Sequence, residues 1–274
     1  MHKVSNASYR WTIAAIGWLA IALLTAPTLI VVVASFTGEL SLRFPPQSYS
    51  ARWYMALWTD SPEILRVTAE SLKVALVTTL ICVVFGTLAS ITIARSEARW
   101  AALLDSFLMS PLVLPTMAFG LALLLMFSAM GVNLSSLTLV AGHVIICTPY
   151  VIRMVSASVQ QLNQSLLECS ESLGASRAFT FFNVTLPLIK RGIIAGAIVA
   201  FLTSFDHVPV SLMLADPRSE TLPIHLWTIL EGSLDVRVAS VCGVIVATTL
   251  AIAILFDRTI GVTRSAGGAA RAAA

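Results

Sequence analysis

The sequence predicts an all-α integral membrane protein with six transmembrane helices and both termini in the cytoplasm. Its 274 residues are 57% hydrophobic and only 11% charged, with a mean hydropathy of +0.88, whereas soluble domains are about 25% charged. Each of six apolar runs is close to the ~20 residues that cross a hydrocarbon core; they lie at 11–36, 71–94, 106–130, 136–156, 188–214 and 236–257. We therefore expect a single membrane domain over residues 1–274, with its core spans at about 71–257.

The distribution of cationic residues predicts the orientation. With both termini inside, 11 lysines and arginines are cytoplasmic, among them Lys3, Arg264 and Arg271, and 6 are external. Cytoplasmic segments of membrane proteins carry this excess of Lys and Arg. The orientation places the loop around Glu168 in the cytoplasm. The Gly/Ala-rich tail from Ser265 onward is predicted to be disordered.

The first span is predicted to be an uncleaved helix, because its apolar run from Ile13 to Val33 exceeds the usual ~7–15-residue core of a signal peptide. Residues 37–70 then form an outer segment, in which 51–58 (ARWYMALW) predicts a short interfacial helix. A second outer segment follows at 215–235. The two segments are predicted to make the outer rim.

A polar segment at 163–187 predicts two short helices joined by a sharp turn between the fourth and fifth spans. Ser165 and Glu168 have the S-x-x-E spacing of a capping box, and Gly174 lies where a helix ends in a left-handed residue. Ser176 can cap the second helix, and Pro187 is expected to prevent that helix from continuing unbroken into the next span. Such a rigid projection is suited to binding a groove on another protein.

The fifth span contains a carboxylate inside the membrane. Asp206 lies about 12 Å below the predicted outer end of the span, at ~1.5 Å per residue, and intramembrane charges usually face the bundle interior or a water-filled path. Pro209 has no N–H for the carbonyl of Phe205, so the helix is expected to break beside Asp206. We predict a cation-recognising substrate path formed by Asp206, His207, Ser204, Phe205 and His143.

The alternative for this region is an ion pair that only joins helices. Asp206 would then pair with His143 or His207. For the two histidines, interhelical hydrogen bonding is favoured over a role in the path.

The sequence contains no motif for nucleotide hydrolysis, because G-x-x-x-x-G-K-[ST] is absent and no lysine follows a glycine. No His/Cys cluster has metal-ligand spacing, and no basic patch indicates nucleic acid. The chain is therefore predicted to be non-catalytic, with no cofactor or metal of its own. A secondary transporter without an ATPase would show inverted repeats and ionisable residues on several spans, and a membrane-embedded enzyme would show clustered His or acidic residues. The sequence shows neither pattern.

The polar segment resembles the EAA loop of ATP-binding-cassette importer permeases. The family pattern is E-A-A, three residues, G, nine residues and I-x-L-P; the corresponding residues here are Glu168-Cys169-Ser170, Gly174 and 184–187 (VTLP), at the same spacing. The resemblance implies a type I importer transmembrane domain with 163–187 as cytoplasmic coupling helices. The ATPase-coupling residues that it implies are Glu168, Cys169, Ser170, Leu173, Gly174, Ala175, Phe179, Leu186 and Pro187.

The resemblance also implies partners and a location. A permease of this family works in the bacterial inner membrane with two ATP-binding subunits, on which ATP and Mg²⁺ are bound. A second permease subunit, expected to differ from this chain, would complete the path. A periplasmic substrate-binding protein would deliver the solute to the outer rim.

The fifth span resembles that of spermidine/putrescine importer permeases, in particular the second permease of such systems. Residues 201–212 (FLTSFDHVPVSL) are similar to a Ser-Phe-Asp-Asp or Ser-Phe-Asp-Asn run, with His207 where Asp or Asn is usual. Residues 221–224 and 235–240 resemble that subfamily too. The resemblance implies a small cationic or amino-bearing solute such as a polyamine. Aminoethylphosphonate, opines and amino acid derivatives, which related permeases import, stay open as alternatives.

Overall fold

A computed structural model of the chain describes residues 7–96, 98–232 and 235–260. Lys3, Arg264, Arg271 and the predicted disordered tail lie outside the described residues. The described chain is helical, mostly α-helical with one 3₁₀ and one π turn, apart from short turns, loops and two isolated bridges. Its helices are α1 (Ala7–Ser35), α2 (Arg52–Thr59), α3 (Pro62–Ala94), α4 (Arg99–Met109), α5 (Thr116–Ala129), α6 (Ser136–Gln160), α7 (Gln164–Ser172), α8 (Arg177–Thr180), α9 (Leu186–Phe205), α10 (Val208–Leu214), α11 (Leu222–Gly232) and α12 (Val236–Ile260).

Four described helices are long and apolar enough to cross a membrane, and a bent pair brings the number to as many as five. The four lie in α1, in α3, in α6 and along Arg177–Phe205, while Val236–Ile252 of α12 is a shorter apolar helix. The all-helical membrane fold is therefore confirmed. Six spans with cytoplasmic termini stay a prediction. The short helix expected at 51–58 is present as α2.

The predicted third span at 106–130 is broken, and the expectation of one continuous helix was wrong. The helical stretch Arg99–Leu112 is bent by 102° against α5. Pro115 lies directly before α5, and a proline disfavours helical geometry in the residue that precedes it. Pro111 lies in the 3₁₀ turn Ser110–Leu112 that ends the first arm. Two prolines four residues apart therefore produce a sharp bend where hydropathy alone shows one apolar run.

The described chain divides into two compact units. The first contains the described residues up to Pro62 and those from Thr228 onward, and in it α1 and α2 pack against α12. In this unit, Ser35 of α1 contacts both other helices. The Ser35 hydroxyl lies 2.6 Å from the Tyr54 hydroxyl, and the Ser35 carbonyl accepts a hydrogen bond from the Ser240 hydroxyl at 3.3 Å. The second unit, Glu63–Trp227, contains the candidate site.

The core of the second unit forms where α6 packs against α9 and α10 packs against α5. Val151, Ile189 and Val210 are among its fully buried side chains. Glycines allow the close approach of α9 to α6: a Cβ atom at Gly192 would lie 2.8 Å from the Met154 carbonyl oxygen. This contact holds α9 close to α6 near the start of α9, and the candidate site begins at the other, carboxyl end of the same helix.

The chain after α10 closes in a hydrogen-bonded turn. The Asp216 carboxylate accepts hydrogen bonds from the Ser219 hydroxyl and, at 2.9 Å, from the Ser219 N–H. The hydroxyl donation lowers the pKa of Asp216 below its ordinary value. Farther along, the Leu222 N–H donates to the Ser71 hydroxyl at 2.8 Å and ties this segment to α3.

Candidate functional site

The fifth apolar run is interrupted at Asp206, as the sequence predicted. α9 ends with the Asp206 N–H bonded to the Leu202 carbonyl at 3.2 Å. His207 then caps α10, because its Nδ1 accepts from the Val210 N–H at 3.4 Å. Pro209 lies in the first turn of α10, where a residue without an N–H is tolerated. The same proline leaves the Phe205 carbonyl without a helical donor, so the helix ends and restarts here.

Asp206 is exposed and lines an open cleft at this break. The cleft has a volume of about 490 Å³ and is lined by Leu202, Thr203, Asp206, His207, Val208 and Pro209. Within the part of the chain that the structure describes, the Asp206 carboxylate forms no ion pair. A carboxylate at the carboxyl end of a helix, where the backbone dipole is negative, makes this cleft suited to a cation.

His143 is buried and does not line the cleft. Its side chain is 0% exposed, and its ring nitrogens lie 2.8 Å from the Ser204 hydroxyl and 2.9 Å from the Ser211 hydroxyl. His143 therefore joins α6 to α9 and α10, which is the interhelical bonding that the sequence favoured for both histidines, whereas the His207 side chain caps its own helix α10. Neither His143 nor His207 pairs with Asp206.

Four of the five predicted path residues fall into two groups. Asp206 and His207 line the cleft, whereas His143 and Ser204 are buried and do not line it. Phe205 stacks on Phe201, with ring centroids 6.0 Å apart. Ser211 was not predicted from the sequence, because the helix break lies between it and Ser204 and removes any helical register between the two serines. No group of three or more potential metal ligands occurs among the described residues.

The predicted coupling segment begins differently from the expected capping box. Asn163 caps α7: its Oδ1 accepts from the Ser165 N–H at 3.1 Å and from the Ser165 hydroxyl at 2.6 Å. The pairing of Ser165 with Glu168 was therefore wrong, because the helix begins two residues earlier, at an Asn163 cap that accepts from the Ser165 N–H. Glu168 consequently lies inside α7 with its side chain exposed.

The turn between α7 and α8 has the predicted form. Gly174 adopts φ +79°, and the Ala175 N–H bonds to the Ser170 carbonyl at 3.2 Å, as in a glycine-ended helix. Ser176 caps α8 by accepting from the Phe179 N–H at 3.2 Å. The Ser170 hydroxyl lies 2.8 Å from that of Thr180 and joins the two helices. The hydrogen bond between Ser170 and Thr180 was not predicted from the sequence.

The turn also carries an exposed apolar cleft of about 470 Å³, lined by Ser170, Leu173, Gly174, Ala175, Ser176 and Phe179. Leu173 is 82% exposed and Phe179 55% exposed, and contiguous exposed apolar side chains mark interaction sites. Glu168 and Cys169 are exposed on α7. Leu186 and Pro187 do not line the cleft; they begin α9.

Pro187 does not interrupt the helical path, and the expected break before the fifth span was wrong. α8 continues through a π-helical turn, Phe181–Thr185, directly into α9. The π turn shifts the hydrogen bonds, so that the Leu186 N–H reaches the Phe181 carbonyl. The Asn183 side chain donates to the Phe179 carbonyl at 3.0 Å. Pro187 therefore lies in the first turn of α9, where its missing donor is tolerated.

Comparison with known proteins identifies the family. Residues 83–260 match the family described as binding-protein-dependent transport system inner membrane component. The putrescine transport system permease protein PotI of Escherichia coli (strain K12) is 30% identical over 217 residues, which cover 77% of this chain and 76% of that protein. The spermidine/putrescine transport system permease protein PotC of the same strain is 25% identical over 234 residues, 85% of this chain and 88% of that protein.

A solved structure supports the fold. The structure of a bacterial ABC transporter involved in the import of the acidic polysaccharide alginate has a TM-score of 0.68 at 12% sequence identity, covering 96% of this chain and 99% of that chain. At 12% sequence identity to this chain, that structure indicates the fold alone. The chain thus belongs to the family of inner membrane components of binding-protein-dependent transport systems, and it is a non-catalytic permease subunit of an ATP-binding-cassette importer.

Proposed function

We propose that this permease subunit forms the translocation path for a small cationic or amino-bearing solute such as a polyamine. The observation that carries the proposal is the Asp206 carboxylate, which lies exposed in the break between α9 and α10 and lines the cleft there. A charged side chain near mid-bilayer costs ~2.5–3.5 kcal/mol on insertion scales. A cation that passes the cleft would compensate this charge, and the carboxyl end of α9 would add to the attraction.

The names of the two relatives support a cationic solute, which the negative charge of Asp206 would attract. Putrescine and spermidine, which the names of the two Escherichia coli relatives contain, are amines. The alginate transporter has the same fold and is involved in the import of an acidic polysaccharide. The fold therefore serves solutes of either charge, and the choice of an amine for this chain rests on Asp206.

We further propose a complex in which this chain pairs with a second, different permease subunit. Two ATP-binding subunits would hold ATP and Mg²⁺ and dock on the exposed apolar cleft between α7 and α8. The coupling residues would be Glu168, Cys169, Ser170, Leu173, Gly174, Ala175 and Phe179, with Leu186 and Pro187 at the start of α9 transmitting the movement. A periplasmic binding protein would deliver the solute to the outer segments, in a bacterial inner membrane.

The test removes the charge and keeps the shape. Asp206→Asn is expected to lower uptake of radiolabelled putrescine, per correctly assembled transporter in proteoliposomes, by about tenfold or more, which corresponds to the loss of one charge-assisted contact. Asp105→Asn is the matched control, because Asp105 is an acid on α4 that does not line the cleft and lies outside the proposed coupling residues and outer segments. That variant should transport normally.

Two results would contradict the proposal. Near-normal putrescine uptake per assembled transporter with Asp206→Asn would show that the carboxylate is not part of the path. An unchanged rate per transporter with a reduced yield of folded complex would assign Asp206 to assembly instead. The affinity of the separate binding protein for putrescine should stay the same in every variant, since that site lies on another chain.

A further inference from the structure

We propose that His143 is a positioning residue that holds the break between α9 and α10, and with it Asp206, in the geometry that receives the solute. This inference rests on the proposed function of Asp206. His143 projects from α6 and contacts one serine on each side of the break, Ser204 near the end of α9 and Ser211 on α10. The two helices therefore share a single buried partner.

The donors and acceptors fix the direction of each hydrogen bond. Ser211 donates its only hydroxyl proton to the His207 carbonyl at 2.5 Å, so towards His143 it acts as the acceptor. The Nε2 atom of His143 therefore carries a proton and donates it to Ser211. In a neutral imidazole the other nitrogen is then an acceptor, and Nδ1 accepts from the Ser204 hydroxyl. The result is one continuous chain from Ser204 through His143 and Ser211 to the His207 carbonyl.

This chain connects both sides of the gap that contains Asp206. Only Asp206 and His207 separate α9 from α10. Ser204 is anchored two residues before Asp206, and the His207 carbonyl is anchored one residue after it. The backbone on each side of Asp206 is thus tied to one imidazole on a third helix. Since α6 packs along α9, that imidazole is itself held in place.

Burial makes the arrangement hard to change. His143 is 0% exposed, Ser204 3% and Ser211 1%, and an unpaired polar group in such a place costs far more than one in water. Every donor proton in the chain is used once. Any movement of α10 relative to α9 would leave a buried donor or acceptor unpaired, so the break has one strongly preferred geometry.

The first experiment measures the position of residue 206 without any amine substrate. In a background with the four native cysteines replaced by alanine, the Asp206→Cys variant is labelled with a cationic, membrane-impermeant methanethiosulfonate in purified transporter. His143→Phe keeps the bulk and removes both hydrogen bonds, and Ser211→Ala removes the connection to the His207 carbonyl. Each is expected to change the labelling rate by about tenfold, as the loss of a buried hydrogen bond would.

Two control variants separate positioning from general packing. His143→Gln retains one acceptor and one donor at the same place and should restore the parental labelling rate to within about twofold. Ser90→Ala also removes a buried hydroxyl that faces α6, because the single Ser90 proton is shared between the Gly86 carbonyl at 2.6 Å and the Ile152 carbonyl of α6 at 3.1 Å, but Ser90 does not contact the break. It should leave labelling unchanged.

The second experiment measures putrescine uptake per assembled transporter, with Asp206 intact. His143→Phe and Ser211→Ala should lower it by about tenfold, whereas His143→Gln and Ser90→Ala should transport normally. The proposal is overturned if Ser211→Ala labels and transports like the parent, and equally if Ser90→Ala is as damaging as Ser211→Ala. If the His143→Phe variant does not assemble, the labelling and uptake of the Ser211→Ala variant test the proposal. If labelling changes while Asp206→Asn transports normally, the proposed function fails and the positioning of residue 206 stands.

Discussion

Two ionisable residues of the predicted substrate path have opposite environments in this protein. Asp206 is exposed in the cleft, whereas His143 is buried with both ring nitrogens occupied. The sequence identified both, and the position of Pro209 predicted the break beside Asp206. It could not assign the serine partners of His143, because these hydrogen bonds join residues more than 60 positions apart and depend on how α6 packs on α9.

At the same scale, Gly192 yields a prediction about packing. A glycine-to-alanine change inside a helix usually favours the helix by ~1 kcal/mol. At Gly192 the new Cβ would meet the Ser158 side chain and lie 2.8 Å from the Met154 carbonyl oxygen, so α9 would have to move away from α6. We expect Gly192→Ala to lower the temperature at which the detergent-solubilised protein loses monodispersity by several degrees, because overpacking costs ~1–3 kcal/mol.

Gly17 provides the control, since it lies within α1 and a Cβ atom added there would meet no neighbouring atom within 4 Å. Gly17→Ala should leave that temperature unchanged or raise it slightly. If the two alanine variants behave alike in size-exclusion profiles after heating, the close approach of α9 to α6 does not contribute to stability.

At the scale of helices, prolines and caps show what sequence rules predict and where they fail. Pro209 was expected to break a helix and does. Pro187 was expected to do so and does not, because the π turn before it rearranges the hydrogen bonds. Pro111 and Pro115 were passed over inside an apolar run, yet the chain bends there by 102°. Pro187 and Pro209 both lie in the first turn of a helix, so the difference lies in the residues before them: a π turn carries the hydrogen bonds across Pro187, whereas α9 has already ended before Pro209. Hydropathy does not carry that information.

The coupling turn gives the prediction at this scale. Gly174 has φ +79°, a conformation that is costly for a β-branched residue. Gly174→Val should therefore distort the turn between α7 and α8 and move Leu173 and Phe179, which flank the exposed cleft. We expect substrate-stimulated ATPase activity of the assembled transporter to fall by about tenfold, in line with ~1–2 kcal/mol of local strain.

Gly131 is a matched control for that variant. It also has positive φ, +69°, and it too has open space around its Cβ position, but it lies between α5 and α6. Gly131→Val carries a similar backbone penalty and should leave stimulated ATPase activity near the wild-type value. Equal losses in both variants would attribute the effect to general destabilisation and contradict the docking of ATPase subunits at this turn.

At the scale of the whole chain, composition predicted the membrane class and the motif predicted the family, and both are confirmed. The number of spans is harder to predict, because an apolar run of about 20 residues does not distinguish a straight span from a bent pair. The orientation stays a prediction, which rests on the distribution of Lys and Arg, 11 against 6. It decides whether the α7–α8 turn faces ATP.

Single cysteines in a background without native cysteines test that orientation directly. Ala178 on α8 and Ser48 before α2 are both exposed, so a failure to react reports the side of the membrane and not burial. In intact spheroplasts, Ser48→Cys should react with a membrane-impermeant maleimide, and Ala178→Cys should react only after permeabilisation. The reverse pattern would place Glu168 and Leu173 outside, where no ATP-binding subunit could reach them. It would also move the opening beside Asp206 to the cytoplasmic half, so that delivered solute would meet the carboxylate last.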